Sequence, residues 1–200
     1  MSRPARIRRR LLIALASLAL AACGAGGPQF EASDVTGSSF GHDFALKDPD
    51  GHPRTLADFR GKAVVVFFGY TQCPDVCPAT LATLAETMKR LGADANRVQV
   101  LFITVDPERD TPALLKQYVP AFDPRFLGLW GDAEATARAA REFKIIYQKV
   151  PGTTPGSYTM DHSAGSYVFD PQGRLRLYVA NGQGPGVFTH DLRELLKQAS

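Results

Sequence analysis

The chain has 200 residues, of which 44% are hydrophobic and 22% charged, and its formal net charge is +3. This length and composition are those of one globular domain and exclude a largely disordered chain. Five arginines and no acidic residue lie within residues 1–22, so the remaining 18 basic and 20 acidic side chains sum to −2. We expect no nucleic-acid binding, because the basic excess belongs to the N-terminal segment alone.

The N-terminal segment has the pattern of an export signal. A basic stretch precedes an apolar run over residues 11–22, which is shorter than the roughly 20 residues that span a bilayer. The run ends in Leu20-Ala21-Ala22-Cys23, which resembles a bacterial lipobox. We predict a signal peptide over residues 1–22, lipidation of Cys23 and a flexible tether over residues 23–39. An ordinary secretory signal that is cut after Ala22 is the alternative.

The signal predicts an exported protein, anchored to a membrane by lipid and facing the periplasm or another extracytoplasmic space. It leaves open whether that membrane is the inner or the outer one, and whether export uses the general or the twin-arginine route. With Cys23 acylated, only Cys73 and Cys77 remain as thiols in an oxidising compartment.

Residues 40–200 are predicted to form the folded domain, beginning with a hairpin around the turn at residues 48–51 and one helical turn at 56–59. An unbroken apolar run at 63–68 predicts a buried strand, and Pro78 followed by a 3.6-residue apolar stripe predicts a helix over 79–91. A second buried strand is predicted at 98–105. Thr111 and Pro112 then begin a helix that runs to residue 118.

The second half continues this alternation with a short strand at 126–130 and a helix that Asp132 caps, ending near residue 143. An extended segment at 145–150, a loop over 151–161 and a hairpin of strands at 164–170 and 174–179 follow, and Thr189 is predicted to cap the last helix. The order predicts an α/β thioredoxin-like fold: a central mixed sheet, helices on both faces and an N-terminal β-hairpin extension. In such open sheets the functional site lies at the carboxyl ends of the strands.

Two cysteines lie at the turn between the first buried strand and its helix, in Cys73-Pro74-Asp75-Val76-Cys77. Their i, i+4 spacing places both sulfur atoms on one side of a helical turn, and the free N–H groups of a helix start favour thiolates. A disulfide this short removes little entropy from the unfolded chain, so a purely structural role is disfavoured. The pair is therefore predicted to be reactive, either as a Cys73–Cys77 disulfide couple or as ligands of a soft metal.

Other chemistries fit the cysteine pair less well. A thioredoxin-type redox motif has two residues between its cysteines, whereas this turn has three. A structural zinc site requires four ligands, commonly with a second cysteine pair. A peroxidase of the peroxiredoxin kind usually has Thr three residues before its nucleophile, and here Thr71 lies two before Cys73.

His162 is the candidate third ligand. It follows the predicted loop and directly precedes a core strand, a position that faces the cysteine turn in a thioredoxin-like topology. His52 and His190 are interpreted as surface residues, and His42, at the entry to the domain, gives little signal. Two thiolates and one imidazole suit copper, as Cu(I) or, with further ligands, as Cu(II).

Asp106 and Arg109 follow the second buried strand and are candidate residues of the site's rim or of a partner contact. Turn and helix-capping chemistry is the alternative explanation for this segment, and it is the interpretation adopted for Thr111 and Pro112.

Three segments resemble the Sco/SenC family: residues 68–78 around the cysteines, residues 104–112, and Asp161-His162-Ser163. The similarity runs from about residue 40 to residue 197. It implies a membrane-tethered copper protein of thioredoxin fold in which Cys73, Cys77 and His162 bind the metal. Many members have a transmembrane helix, whereas the lipobox-like segment here predicts a lipid anchor, so this chain would be a bacterial lipoprotein form.

The resemblance also implies a function. A family member delivers copper to the binuclear copper site of cytochrome c oxidase subunit II, or keeps the cysteines of that site reduced. We therefore expect a monomeric metallochaperone rather than an enzyme, with cytochrome c oxidase subunit II or another copper-site protein as its partner. A membrane-tethered thiol–disulfide oxidoreductase that uses the same cysteines is the alternative.

Overall fold

A mixed sheet of six strands forms the centre of the domain in the computed structural model, which describes residues 29–198. In chain order the strands are β1 (Ser33–Asp34), β2 (Leu46–Lys47), β3 (Pro53–Arg54), β4 (Ala63–Gly69), β5 (Val98–Thr104), β6 (Leu127–Leu129), β7 (Tyr147–Pro151), β8 (Tyr158–His162), β9 (Ser166–Phe169) and β10 (Leu175–Val179). The helices are α1 (Val76–Leu91), α2 (Pro112–Tyr118), α3 (Ala133–Glu142) and α4 (Pro185–Lys197), with 3₁₀ turns at Leu56–Phe59, Gly92–Arg97 and Val119–Ala121. The predicted signal peptide and Cys23 lie outside the described residues.

The central sheet has the order β1-β10-β9-β4-β5-β6. β4 pairs in parallel with β5 and antiparallel with β9, and each of its seven residues is buried. The valine and phenylalanine run of β4 suits this position, because a central strand that is covered on both faces needs apolar side chains throughout. The mixed sheet predicted from the alternating pattern is confirmed.

Helices cover both faces of this sheet, as predicted. On one face, Phe67 of β4 lies in register with Phe102 of β5 and Gly128 of β6. A Cβ atom at Gly128 would lie 3.1 Å from Leu115, so α2 packs closely on this face. On the opposite face, the Phe68 ring packs against Phe143 at the end of α3, with centroids 5.2 Å apart. Among the described residues, none of the helices combines the length and apolar character that a membrane crossing requires.

The folded domain begins before residue 40, within the segment predicted as a tether. β1 pairs with the edge strand β10, and the Asp191 carboxylate of α4 accepts hydrogen bonds of 2.9 Å from the N–H groups of Glu31 and Ala32. These are backbone interactions with distant elements. A composition rich in glycine and serine does not reveal them.

Part of the predicted loop over 151–161 belongs to a two-stranded ribbon. β7 and β8 pair antiparallel, with Tyr147 opposite His162, and only residues 152–157 form the turn. His162 is therefore the last residue of a strand instead of the end of a loop. The N-terminal hairpin is confirmed by the pairing of β2 with β3.

Two helix starts differ from the prediction. α1 begins at Val76 instead of residue 79, so Cys77 lies in its first turn and Pro78 at its third position, where a missing N–H is still harmless. α4 begins at Pro185 after Gly184, and Thr189 lies inside the helix, where its hydroxyl donates to the Pro185 carbonyl at 2.7 Å. The caps at Thr111 and Asp132 are confirmed.

Replacing Asp191 with alanine is expected to release the N-terminal segment from α4. The change leaves two backbone N–H groups without their carboxylate acceptor, and hydrogen bonds to charged groups contribute about 1.5–3 kcal/mol each. We expect the free energy of unfolding, measured by urea denaturation, to fall by about 3 kcal/mol. The exposed Asp94→Ala is the control, and equal losses in the two variants would contradict the anchoring role.

Candidate metal centre

The structure brings together the three predicted ligand residues. One ligand atom each of Cys73, Cys77 and His162 lies within 4.8 Å of the other two, and the Cys77 Sγ atom is 3.4 Å from His162 Nε2. Within residues 29–198, this is the one group of three or more cysteine, histidine or carboxylate side chains with that proximity. The ligand type and the spacing both suit a metal ion.

The end of β4 and the first turn of α1 place the sulfur atoms. Cys77 is fully buried, and its N–H group lies 3.4 Å from the Cys73 Sγ atom, whereas Cys73 is half-buried. A Cβ atom at Gly69 would lie 2.8 Å from the Cys77 Sγ atom and 2.9 Å from the Phe102 ring. Glycine at this strand end therefore leaves the space that the buried sulfur occupies. Both cysteines are free thiols here.

The two sulfur atoms differ in their electrostatic surroundings. Burial strongly raises the pKa of the Cys77 thiol, against a smaller lowering by the Tyr70 backbone N–H. The expectation that the helix start favours a thiolate is thus wrong for Cys77, because loss of hydration outweighs the helix N–H groups. Without a metal ion Cys77 is a protonated thiol, so metal binding there releases a proton.

The ribbon of β7 and β8 orients His162. Its Nδ1 atom lies 3.0 Å from the Ser163 carbonyl oxygen, which assigns the ring proton to Nδ1 and leaves the lone pair of Nε2 directed at Cys77. The ring packs edge-on against Tyr70, with centroids 5.9 Å apart, and against Phe67 at 6.3 Å. Aromatic packing and the carbonyl acceptor together hold the imidazole ready for a metal.

A cleft of about 370 Å³ opens above these ligands. Its walls include Cys73 and His162, together with the exposed carboxylates of Asp75 and Asp161. Cys77 is beneath the surface of the cleft. A metal ion in this centre would therefore be approached through Cys73 and His162.

Comparison with known proteins identifies the family. The SCO1/SenC family model matches residues 32–197. The chain belongs to the SCO1/SenC family. It is 40% identical over 153 residues to the mouse protein SCO2 homolog, mitochondrial, covering 76% of this chain and 60% of that protein. The yeast protein SCO1, mitochondrial, is 37% identical over 139 residues, covering 68% of this chain and 47% of the yeast protein.

Solved Sco structures share the fold. ScoI of Bradyrhizobium japonicum with copper bound is 40% identical, with a TM-score of 0.72 over 79% of this chain and all of that one. Apo Sco1 of Thermus thermophilus is 41% identical, with a TM-score of 0.75 over 86% of this chain and 100% of that one. The predicted thioredoxin-like fold is thereby confirmed.

Asp106 and Arg109 connect the two halves of the SCO1/SenC centre. The Arg109 Nε group donates to Asp106 Oδ2, while its Nη1 group donates to the Tyr158 carbonyl at 2.9 Å and to Gln72 Oε1 at 3.1 Å. The Tyr158 hydroxyl donates to Asp106 Oδ1 at 2.8 Å, and the guanidinium lies 3.6 Å from the Tyr158 ring centroid. The ribbon that carries His162 is thus fastened to the cysteine turn.

This position differs from the predicted site rim. Asp106 is only 1% exposed, so it holds other protein groups and offers no free surface to a partner. Arg109 is mostly buried, with 20% of its side chain exposed. Both residues support the ligands without joining the three ligand atoms.

Asp110 is a supporting residue that the sequence analysis did not single out. It is 1% exposed, and it accepts hydrogen bonds from the Thr71 N–H at 3.1 Å, the Thr71 hydroxyl at 2.5 Å and the Thr104 hydroxyl at 2.6 Å. It joins the cysteine turn to the end of β5. The available signal was an acidic residue directly before a helix cap and shortly after a buried strand.

The other histidines lie elsewhere, and the surface positions predicted for His52 and His190 are confirmed. His52 has a side chain that is 67% exposed and bonds to Asp48, while His190 is 42% exposed and bonds to Asp191. His42 is exposed. None of the three belongs to the group of metal-ligand atoms in the described part of the chain.

Alkylation should distinguish the two cysteines of the reduced, metal-free protein. We expect iodoacetamide to modify Cys73 at least about tenfold faster than Cys77, because burial both shields Cys77 and disfavours its thiolate. Site-resolved mass spectrometry measures the two rates, and a sample in denaturant is the control in which the difference should vanish. Equal rates in the folded protein would contradict the geometry.

The pH dependence of stability should report on Asp110. Burial raises the pKa of its carboxyl group, so the folded state holds that proton more tightly than the unfolded chain. The contribution of the protonated Asp110 carboxyl group to the free energy of unfolding is complete below the unfolded pKa of about 3.9. It is lost as the pH rises through the pKa of the folded state. Asp110→Asn cannot ionise, so wild type should lose stability relative to this variant as the pH rises from about 3.9.

Urea denaturation of both proteins at a series of pH values measures this difference. Asp94→Asn, at an exposed position, is the control that should keep the wild-type pH profile. Parallel profiles for wild type and Asp110→Asn would show that Asp110 does not titrate differently in the folded state.

Proposed function

We propose that this protein binds copper as cargo through Cys73, Cys77 and His162. The observation that carries the proposal is the proximity of the three ligand atoms, all within 4.8 Å of one another. Two sulfur donors and one imidazole select a soft cation and match the low coordination numbers of Cu(I). ScoI of Bradyrhizobium japonicum and yeast Sco1, 40% and 33% identical to this chain, are described with copper bound.

The acceptor in this proposal is the binuclear copper site of cytochrome c oxidase subunit II. A structural relative, BsSco, is described as a member of the Sco family of cytochrome c oxidase assembly proteins. The unequal exposure of the ligands suits a stepwise handover: acceptor groups enter the cleft and replace His162 and Cys73 first. The buried Cys77 releases the ion last and regains its proton, since burial favours its neutral thiol.

The proposed location is a membrane surface that faces the periplasm or another extracytoplasmic space, with a lipid on Cys23 as the anchor. The basic and apolar segments before Cys23, and the small residues next to it, support this part of the proposal. It makes the protein a bacterial lipoprotein form of its family.

Thiol–disulfide exchange is the second candidate function. It is favoured by the pairing of a half-exposed Cys73 with a buried Cys77, whose N–H group approaches the Cys73 sulfur at 3.4 Å. Cys73 would attack the disulfide of a partner protein, and Cys77 would then displace the reduced partner while Cys73 and Cys77 form the disulfide. This activity needs no imidazole.

His162→Ala separates the two functions. For copper binding we expect the affinity for Cu(I) to fall at least about tenfold, since the loss of one of three ligands cannot be compensated by the apolar rings around it. Anaerobic Cu(I) titration against a competing chelator measures the affinity. His52→Ala, which changes an exposed histidine, should leave it unchanged.

Insulin reduction by the same variants tests thiol–disulfide exchange, and the two measurements together decide between the functions. Unchanged Cu(I) affinity in His162→Ala, with loss of affinity in neither Cys73→Ser nor Cys77→Ser, would refute the metal centre. Full oxidase assembly in cells that carry His162→Ala, together with intact disulfide reduction, would favour thiol exchange as the physiological role.

A further inference from the structure

A second cavity adjoins the metal cleft. It has a volume of about 150 Å³ and lies between the first turns of α1, the start of β9 and the segment that leads into α4. Ala164, two residues after His162, lines both this cavity and the metal cleft. We call this second cavity the α4 pocket. A molecule that occupies both spaces would contact the α4 pocket at one end and the metal ligands at the other.

The α4 pocket is lined by polar side chains that lack protein partners. Ser166 is 2% exposed and lies in register with Phe67, on the sheet face that α1 and α2 cover. Its hydroxyl lines the pocket and makes no hydrogen bond with any residue in 29–198. The same holds for the other polar side chains of the lining: Thr80, Thr83, Asn181 and Gln183. The Ser166 hydroxyl is not among the fully enclosed side-chain polar atoms that lack a partner in residues 29–198, so the pocket gives water or a polar ligand access to it.

The amino end of α4 forms another part of the wall. Gly184 lines the pocket and is the N-cap residue, and it offers no side chain to the free N–H groups of this 13-residue helix. Unsatisfied N–H groups at a helix start carry partial positive charge and favour an anion. The hydroxyl and amide donors point to an anion that accepts several hydrogen bonds, which a carboxylate does.

We propose that the α4 pocket binds the carboxylate of a small thiol, and that the sulfur of the same molecule reaches the metal cleft. The combined volumes of the two cavities lie in the range of about 300–1,000 Å³ that is typical of small-molecule sites, and a short cysteine-containing peptide fits that range. The thiol half of the proposal rests on the proposed function, because copper held by two sulfurs and one imidazole accepts a further thiolate. The carboxylate half depends only on the α4 pocket.

Gly184 provides a matched pair of variants. A Cβ atom there would meet nothing within 4 Å, and its φ of −78° suits any residue. Asp and Asn are both favourable N-caps, so Gly184→Asp and Gly184→Asn should fold alike. Only the aspartate places a negative charge where the ligand carboxylate would bind.

Reduced glutathione is the probe, titrated anaerobically into the ¹⁵N-labelled protein with and without Cu(I). We expect the amide signals of Gly186 and Val187 to move in both states, with tighter binding in the copper-loaded protein. Gly184→Asp should weaken binding at least about tenfold, whereas Gly184→Asn should stay within about threefold of wild type. Cysteamine, a thiol without a carboxylate, should leave the Gly186 and Val187 signals in place.

Three results would overturn the proposal: signal changes confined to the metal cleft, equal affinities for Gly184→Asp and wild type, or glutarate binding to the copper-loaded protein as tightly as glutathione. The last would assign the pocket to acidic groups in general, without a role for the thiol. Cu(I) stoichiometry is measured separately in each variant. A protein that binds no copper but still shows the Gly186 response would refute the proposed function while retaining the carboxylate site.

Discussion

The hydrogen bonds of Asp106, Arg109 and Tyr158 hold together a centre whose ligands come from two distant parts of the chain. The cysteines lie at the start of α1, and His162 ends a ribbon that is a separate two-stranded sheet. Arg109 donates both to the ribbon at Tyr158 and to the cysteine turn at Gln72. Because these groups are largely buried, their charge-assisted hydrogen bonds are poorly screened by solvent. They therefore hold the two segments in a fixed position relative to each other.

A second support works within the cysteine turn. Asp110 binds Thr71 and Thr104, so the turn is tied to the end of β5 on one side and continues into α1 on the other. Gly69 supplies the space for the Cys77 sulfur. The position of the metal ligands is therefore determined by the carboxyl ends of β4 and β5 and by buried polar groups. The ligands themselves remain available for exchange.

The parts of this architecture that could be predicted from sequence are those with local signals. The apolar runs of β4 and β5 reveal buried strands because both of their faces are covered, and Thr111 and Asp132 reveal helix starts through their side-chain oxygens. The cysteine spacing, the family motifs and the chain position of His162 allowed the three ligand residues to be chosen together.

Other parts depend on contacts between distant residues. β1 is defined by its pairing with β10 and by Asp191, 160 residues away from Glu31, so its own composition suggests a linker. The raised pKa of Cys77 follows from complete burial by surrounding elements. Asp110 could not be distinguished from an ordinary turn residue until the positions of Thr71 and Thr104 were known.

The attachment of residues 31 and 32 to α4 limits how far the metal centre can stand from the membrane. If Cys23 bears the proposed lipid, only eight peptide steps separate the anchor from Glu31, a span of at most roughly 29 Å when fully extended. A tether reaching to residue 39 would have allowed about twice that distance. The domain would then sweep a shallow layer next to the bilayer, and an acceptor would have to present its copper site within that layer, close to the lipid headgroups.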